Sequence, residues 1–189
     1  MIINLRGTSG SGKSTIVKSV ISCGLGDPIA IRVLGRKQPI GYYVAPQRGP
    51  TLFIPGHYET PCGGCDTLDT LDQVYDLVKQ EADNGCNVLY EGVMASGESR
   101  RCIELSQNRD IQVIALTTPI QDCINAIIER RAARNREVPS MPFNPQRTIR
   151  RADEVKRMMK HLRNAGVKIE WMSREEALKY CLKTLIGAA

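Results

Sequence analysis

The chain has 189 residues, 42% hydrophobic and 24% charged, which suits one globular domain with a sizeable core. No run approaches the roughly 18 apolar residues of a membrane span, and with an apolar run opening directly at Ile2 no signal peptide is expected. The net charge of +6 is lopsided: residues 128–163 hold eleven Lys and Arg against four acids, so this window alone carries +7. A polyanionic partner would account for that surplus; so would a solvated helix plus a few arginines reserved for ATP.

Ile2-Ile3-Asn4-Leu5 reads as a buried strand. It runs into Gly7-Thr8-Ser9-Gly10-Ser11-Gly12-Lys13-Ser14-Thr15, which fits the spacing G-x-x-x-x-G-K-S/T of a P-loop, and then into a helical pattern over about Lys13–Ser22. Strand, glycine-rich loop and helix start together make an anion nest: glycines permit the tight path, successive N–H groups point inward, and the helix end adds partial positive charge. All nine loop residues, Gly7 to Thr15, are expected to cradle the phosphates. Lys13 would reach the β- and γ-phosphates and Ser14 would ligate Mg²⁺.

Strands are expected at Ala30–Leu34, Ile40–Val44 and Thr51–Ile54, the latter two forming an antiparallel excursion around a Pro46–Pro50 turn. Residues 55–66 form a loop of Gly, Pro and Cys. Helical spacing over 71–83 precedes a short buried strand, Asn87–Tyr90, ending in Glu91-Gly92. A helix over Ser99–Gln107, a strand over Ile111–Leu116 and a helix from Ile120 to about Asn135 follow. Beyond a Pro-containing loop at 136–146 lie a basic helix over 147–165, a strand at Val167–Trp171, and a last helix opened by the capping-box pattern Ser173-Arg174-Glu175-Glu176. Seven cysteines, an odd count scattered through apolar patterns, suit free thiols in a reducing compartment and hence a cytoplasmic protein.

Alternating strands and helices imply a parallel sheet covered on both faces, with ligands at the carboxyl ends of its strands. The expected fold is a single α/β P-loop domain over 1–189: three layers, a five-stranded mostly parallel sheet, an inserted β-hairpin in an acceptor-side excursion at about 35–66, and an Arg-rich lid at about 130–146.

The remaining question is what happens to the γ-phosphate. No guanine-reading N-K-x-D segment occurs, and Val88-Leu89-Tyr90 leads to one acid rather than the acidic pair of motor ATPases. A small kinase suits the size and needs few parts. Arg130, Arg131, Arg134 and Arg136 stand where lid arginines belong, with Arg131 and Arg134 the expected catalytic pair beside Lys13. Glu59, Asp66 and Glu91 are the candidate acids, one for Mg²⁺ and one for the acceptor's hydroxyl proton; Glu91, ending a buried strand, is placed with Ser14 at the metal, and Asp66 is a second catalytic candidate. Cys62-Gly63-Gly64-Cys65 lacks the further ligands of a zinc site and is read as a tight acceptor-side loop.

The P-loop, the Glu59-Thr60-Pro61-Cys62-Gly63-Gly64 loop, Glu91-Gly92 and the 130–136 segment together resemble the thymidylate kinase branch of P-loop kinases. The chain departs from that branch at three places. Thr8 and Ser9 stand where an acid contacts the deoxyribose, Tyr58 replaces a loop arginine, and Gly92 replaces the arginine after the third-strand acid. A free dTMP acceptor would lose its contacts there. The runs Gly35–Tyr42 and Gly56–Asp66 resemble a phage offshoot of the branch, the kinases that phosphorylate 5-hydroxymethyluracil in DNA. That resemblance implies ATP and Mg²⁺ as cofactors and DNA containing 5-hydroxymethyluracil as partner. Arg36, Lys37, Tyr58 and Glu59 would bind the acceptor, with Arg32, Arg48 and the 147–163 helix on DNA phosphates and Tyr42 and Tyr43 available for stacking. A kinase of a free nucleotide or small alcohol, and a nucleotide-binding regulatory protein without transfer, stay open as alternatives.

Overall fold

The computed structural model describes residues 1–60, 63–134 and 143–188. Its strands are β1 (Ile2–Arg6), β2 (Ile29–Ile31), β3 (Gly41–Val44), β4 (Leu52–Pro55), β5 (Asn87–Glu91), β6 (Ile111–Leu116) and β7 (Lys168–Met172). Its helices are α1 (Lys13–Ser22), α2 (Leu71–Asp83), α3 (Val93–Ser96), α4 (Arg100–Asn108), α5 (Ile120–Arg134), α6 (Pro145–Asn164) and α7 (Arg174–Cys181).

The strands form one sheet in the order β2-β3-β4-β5-β1-β6-β7. The five from β4 to β7 run parallel; β3 is antiparallel to β4 and β2 to β3, so the hairpin extends the sheet at one edge. This is the expected fold: a five-stranded parallel core with an inserted hairpin.

Because successive strand residues face opposite sides, the buried central strands feed two cores. Ile2, Val88, Tyr90, Val113 and Ala115 meet Val74 and Val78 of α2, Leu105 of α4 and Val155, Met159 and Leu162 of α6. Ile3, Leu5, Leu89 and Ile114 meet Ile16, Val17 and Val20 of α1 and Ala177 and Cys181 of α7. Both faces are therefore covered, and the carboxyl ends of β1, β4, β5 and β6 remain as the place for a site.

One local expectation is corrected, and one element is new. The strand at Ala30–Leu34 spans only Ile29–Ile31, because Gly41 is the last residue of β3 available to pair with it; Val33 and Leu34 lie beyond, exposed. The four-residue α3 was not legible, since so short a helix shows no periodicity; a carboxylate from another loop starts it, as described below.

Candidate functional site

The P-loop leaves β1 at Arg6 and enters α1 at Lys13. Two of its glycines are required by both conformation and space. Gly10 has φ +80°, and a Cβ there would sit 2.2 Å from the Cys123 carbonyl oxygen of α5. Gly12 has φ +96°, and its Cβ would sit 2.5 Å from Cδ of Arg174. The Lys13 side chain is buried and folds back over the loop, its Nζ donating to the Gly7 carbonyl at 2.8 Å and the Thr8 carbonyl at 3.0 Å. Burial pulls its pKa down, opposed by the charges of Glu91 and then Asp66.

Ser14 Oγ donates to Glu91 Oε1 at 2.7 Å. Glu91 is the last residue of β5, the strand beside β1, and is only 2% exposed. Burial raises its pKa above the ordinary glutamate value; the Lys13 charge and the Ser14 hydrogen bond oppose that, and the Asp66 charge adds to it. The residues named from sequence for the metal are thus in contact. A serine hydroxyl and one carboxylate at a triphosphate cradle fit Mg²⁺, which takes few protein ligands and completes its shell with phosphate oxygens and water.

The loop after β4 closes over this carboxylate. Gly64, with φ +87° and ψ −169°, lies in a region open essentially to glycine alone, and a Cβ on it would sit 2.2 Å from Glu91 Oε1. A Cβ on Gly63 would sit 2.0 Å from the His57 carbonyl oxygen. The Gly63-Gly64 pair is therefore a packing requirement, with His57 and Gly64 bridged as in an antiparallel ladder.

Asp66 follows in a 3₁₀ turn, Cys65–Thr67, and accepts from the backbone N–H of Val93 at 2.8 Å and of Met94 at 3.1 Å. It caps α3 and also faces the cleft. Gly92 stands between them, where a Cβ would meet Asp66 Oδ1 at 3.1 Å; a larger residue would crowd that carboxylate.

These groups border a cleft of about 440 Å³ lined by Ser9, Lys13, Ser14, Thr15, Asp66 and Glu91, with Gly10, Gly12 and Gly63, and by Arg130 and Arg174. Thr8 and Ser11 are buried in the loop body: Thr8 Oγ1 donates to the Thr148 carbonyl, and the Ser11 carbonyl accepts from Thr118 Oγ1.

The other sequence candidates are dispersed. Of the lid arginines, Arg130 borders the cleft, while the Arg131 guanidinium lies 5.4 Å from the centre of the Phe143 ring. The side chain of Arg134, and Arg136 with the rest of 135–142, lie outside the described residues, as do Pro61 and Cys62. Cys65 is buried, with its thiol pushed well up by burial. Tyr58 is buried rather than presented to an acceptor, its phenol pushed well up by burial and then by the Glu91 charge. Tyr42 is buried as well, its hydroxyl accepting from Tyr58 N–H. Tyr43 packs on Phe53 with ring centres 5.5 Å apart. Glu59 is exposed and ion-paired with Arg32 at 3.1 Å, apart from the cleft-lining acids.

Arg36 binds Asp69 at 2.9 Å and the Thr67 carbonyl, so it latches the excursion to the Asp66 loop; Lys37 is exposed beside it. Arg48 lies in the β3–β4 turn, next to Gly187 and at the amino ends of the parallel strands.

Two basic residues were missed. Arg6 is fully buried in β1 and donates to Asn4 Oδ1 at 2.5 Å and the Glu98 carbonyl at 2.6 Å, tying the segment after α3 to the back of the P-loop. Arg174 lies across Gly12. Only sheet order, with β7 two strands from β1, brings the start of α7 to the P-loop.

No family model matches the chain. The 5-hmdU DNA kinase of Pseudomonas phage PaMx11 is 36% identical over 188 residues, covering 99% of this chain and 97% of that one. The 5-hmdU DNA kinase of Delftia phage PhiW-14 is 46% identical over 69 residues, 35% of this chain and 22% of that one. Among solved structures, a deoxyadenosine kinase from M. mycoides with bound dATP superposes with a TM-score of 0.46 at 17% identity, over 99% of this chain and 98% of that one.

Proposed function

The chain belongs to the 5-hmdU DNA kinase family, and we propose that it transfers the γ-phosphate of ATP to the 5-hydroxymethyl oxygen of 5-hydroxymethyluracil in DNA. The observation that carries this reading is the full-length likeness to the Pseudomonas phage kinase. The cleft supports it, because a phosphate cradle, a buried acid joined to it and a second acid on the facing wall are the parts a phosphoryl transfer needs.

In the proposed reaction the acceptor oxygen forms a bond to the γ-phosphorus as the bond to the β,γ-bridging oxygen breaks, and ADP leaves with that electron pair. The P-loop amides and Lys13 hold the donor phosphates. Ser14 and Glu91 would hold Mg²⁺, which would neutralise charge on the β- and γ-oxygens. Asp66, on the wall facing the P-loop, takes the hydroxyl proton or orients the hydroxyl. Arg130 reaches the transferring group from α5. Such a loose transition state draws mainly on positioning and charge.

A C5 substituent faces the major groove of a duplex, and chemistry on it proceeds there or on a base turned out of the stack. The backbone is held by cations. Arg147, Arg150, Arg157, Lys160 and Arg163 are exposed on α6, whereas Arg151 is occupied by Glu154 at 2.8 Å and the Val93 carbonyl at 3.1 Å. Transfer of labelled phosphate from ATP is expected into DNA containing 5-hydroxymethyluracil and not into ordinary DNA. Transfer to the free nucleotide alone would refute the DNA acceptor.

A further inference from the structure

Arg174 opens α7 and is fixed there by a capping box: Ser173 N–H donates to Glu176 Oε2 at 2.7 Å and Glu176 N–H to Ser173 Oγ at 3.2 Å. Its stem runs across the P-loop where Gly12 has no side chain; a Cβ there would meet Cδ at 2.5 Å and Cγ at 3.2 Å. From that position the residue borders the cleft that holds Lys13 and Arg130.

Arg174 is exposed, so in the empty protein its charge faces water. Among the described residues the Arg174 guanidinium has no hydrogen-bond or ion-pair partner. The acids nearest in sequence are engaged, Glu176 in the cap and Glu175 with Lys179 at 3.0 Å. The amino end of a helix is also where its dipole opposes a cation. A residue whose stem lies against the P-loop, without a protein partner among the described residues and beside two further cations, is suited to a bound polyanion.

The direction of reach separates it from the acceptor side. Cys123 of α5, whose carbonyl abuts Gly10, has Lys13 and then Arg174 as its neighbouring cations, whereas among these two only Lys13 acts on Glu91. Arg174 therefore lies on the α5 side of the loop, away from the wall formed by Glu91 and Asp66.

We propose that Arg174 is a nucleotide-binding residue that grips the α- and β-phosphates of the donor from the Gly12 side and keeps that grip on ADP. The inference rests on the nucleotide half of the proposed function and is independent of the acceptor. It divides the work between two guanidinium groups: Arg174 holds phosphates that do not move, and Arg130 meets the one that does.

The test is calorimetric titration of ADP with Mg²⁺, without DNA, into the wild type, Arg174→Ala and Arg174→Lys, together with melting of each empty protein. Arg174→Ala should weaken ADP binding by about 10- to 100-fold, and Arg174→Lys should recover part of it, since a point charge replaces a two-pronged donor. The empty Arg174→Ala protein should melt close to the wild-type temperature, because the side chain it loses is exposed and makes no hydrogen bond or ion pair among the described residues. In turnover, KM for ATP should rise while kcat stays within about threefold. ADP affinity within twofold of the wild type, or a melting temperature lower by several degrees, would overturn the proposal; the latter would make Arg174 a structural clamp. If DNA containing 5-hydroxymethyluracil fails as acceptor while ADP binding still depends on Arg174, the acceptor reading falls and this one stands.

Discussion

The hydroxyl of Ser14, in the first turn of α1, donates a 2.7 Å hydrogen bond to the carboxylate of Glu91, 77 residues further along the chain at the end of β5. The contact joins the P-loop to the neighbouring strand, at the pair of residues proposed to hold Mg²⁺. It also holds an acid in a place that burial disfavours.

Glu91→Gln tests both aspects. Without the carboxylate, phosphoryl transfer should fall by about 100-fold or more, in line with loss of a preorganised charge. Stability should move the other way. The native pKa of Glu91 is raised, so the folded protein holds this proton more tightly than the unfolded one. That contribution is complete below the unfolded value and is lost as pH rises through the folded value. At neutral pH the buried charge is a net cost, and Glu91→Gln should melt no lower than wild type. The acid limb of kcat/KM should lie above the ordinary glutamate range and vanish in the variant. A normal limb in the variant would assign it to another group.

Lys13→Ala should abolish turnover while leaving the protein folded. Its ammonium is desolvated and its own hydrogen bonds go to loop carbonyls. Circular dichroism should be unchanged and ATP hydrolysis and transfer undetectable; residual transfer above about 1% of wild type would contradict a phosphate-binding role.

Gly64→Ala should damage activity out of proportion to stability. The backbone conformation at Gly64 costs an alanine roughly 1–3 kcal/mol, and the new methyl group would displace the Glu91 carboxylate from Ser14. Expected are a melting point lower by several degrees and a kcat reduced at least about tenfold at temperatures where the variant is fully folded. Full activity there would show that the loop tolerates the shift.

Asp66→Ala removes the acceptors of two N–H groups at the start of α3. By analogy with helix caps, about 0.5–2 kcal/mol of stability should be lost, which for a chain of this size is about 1–8 °C in Tm. If Asp66 also serves the acceptor hydroxyl, Asp66→Asn should recover part of the stability and none of the kcat. Recovery of both would reduce Asp66 to a cap.

The exposed cations of α6 should report on DNA and not on ATP. Substituting Arg150, Arg157 and Lys160 together by Ala should raise KM for the DNA acceptor steeply and lower the salt slope of binding by up to about three. ADP affinity should be unchanged. Equal DNA affinity and slope would move the DNA surface elsewhere.

Sequence alone determined the fold class and marked the P-loop as the proposed donor site, because both depend on local signals. Gly7–Thr15 between an apolar strand and an amphipathic helix is contiguous, and the alternation of strands and helices dictates a covered parallel sheet. It also singled out Glu91, since an acid ending a buried strand conflicts with burial unless it is used. Only the tertiary structure decided which distant side chains meet that loop. Sheet order puts β5 beside β1 and β7 two strands away, so Glu91 and Arg174 arrive from opposite sides. Arg36 and Glu59 looked available in sequence, yet each finds a partner of opposite charge within about 3 Å. Tyr58, three residues past β4, is carried inward with its loop. Pairing and burial depend on where remote segments fold back, and no local pattern encodes that.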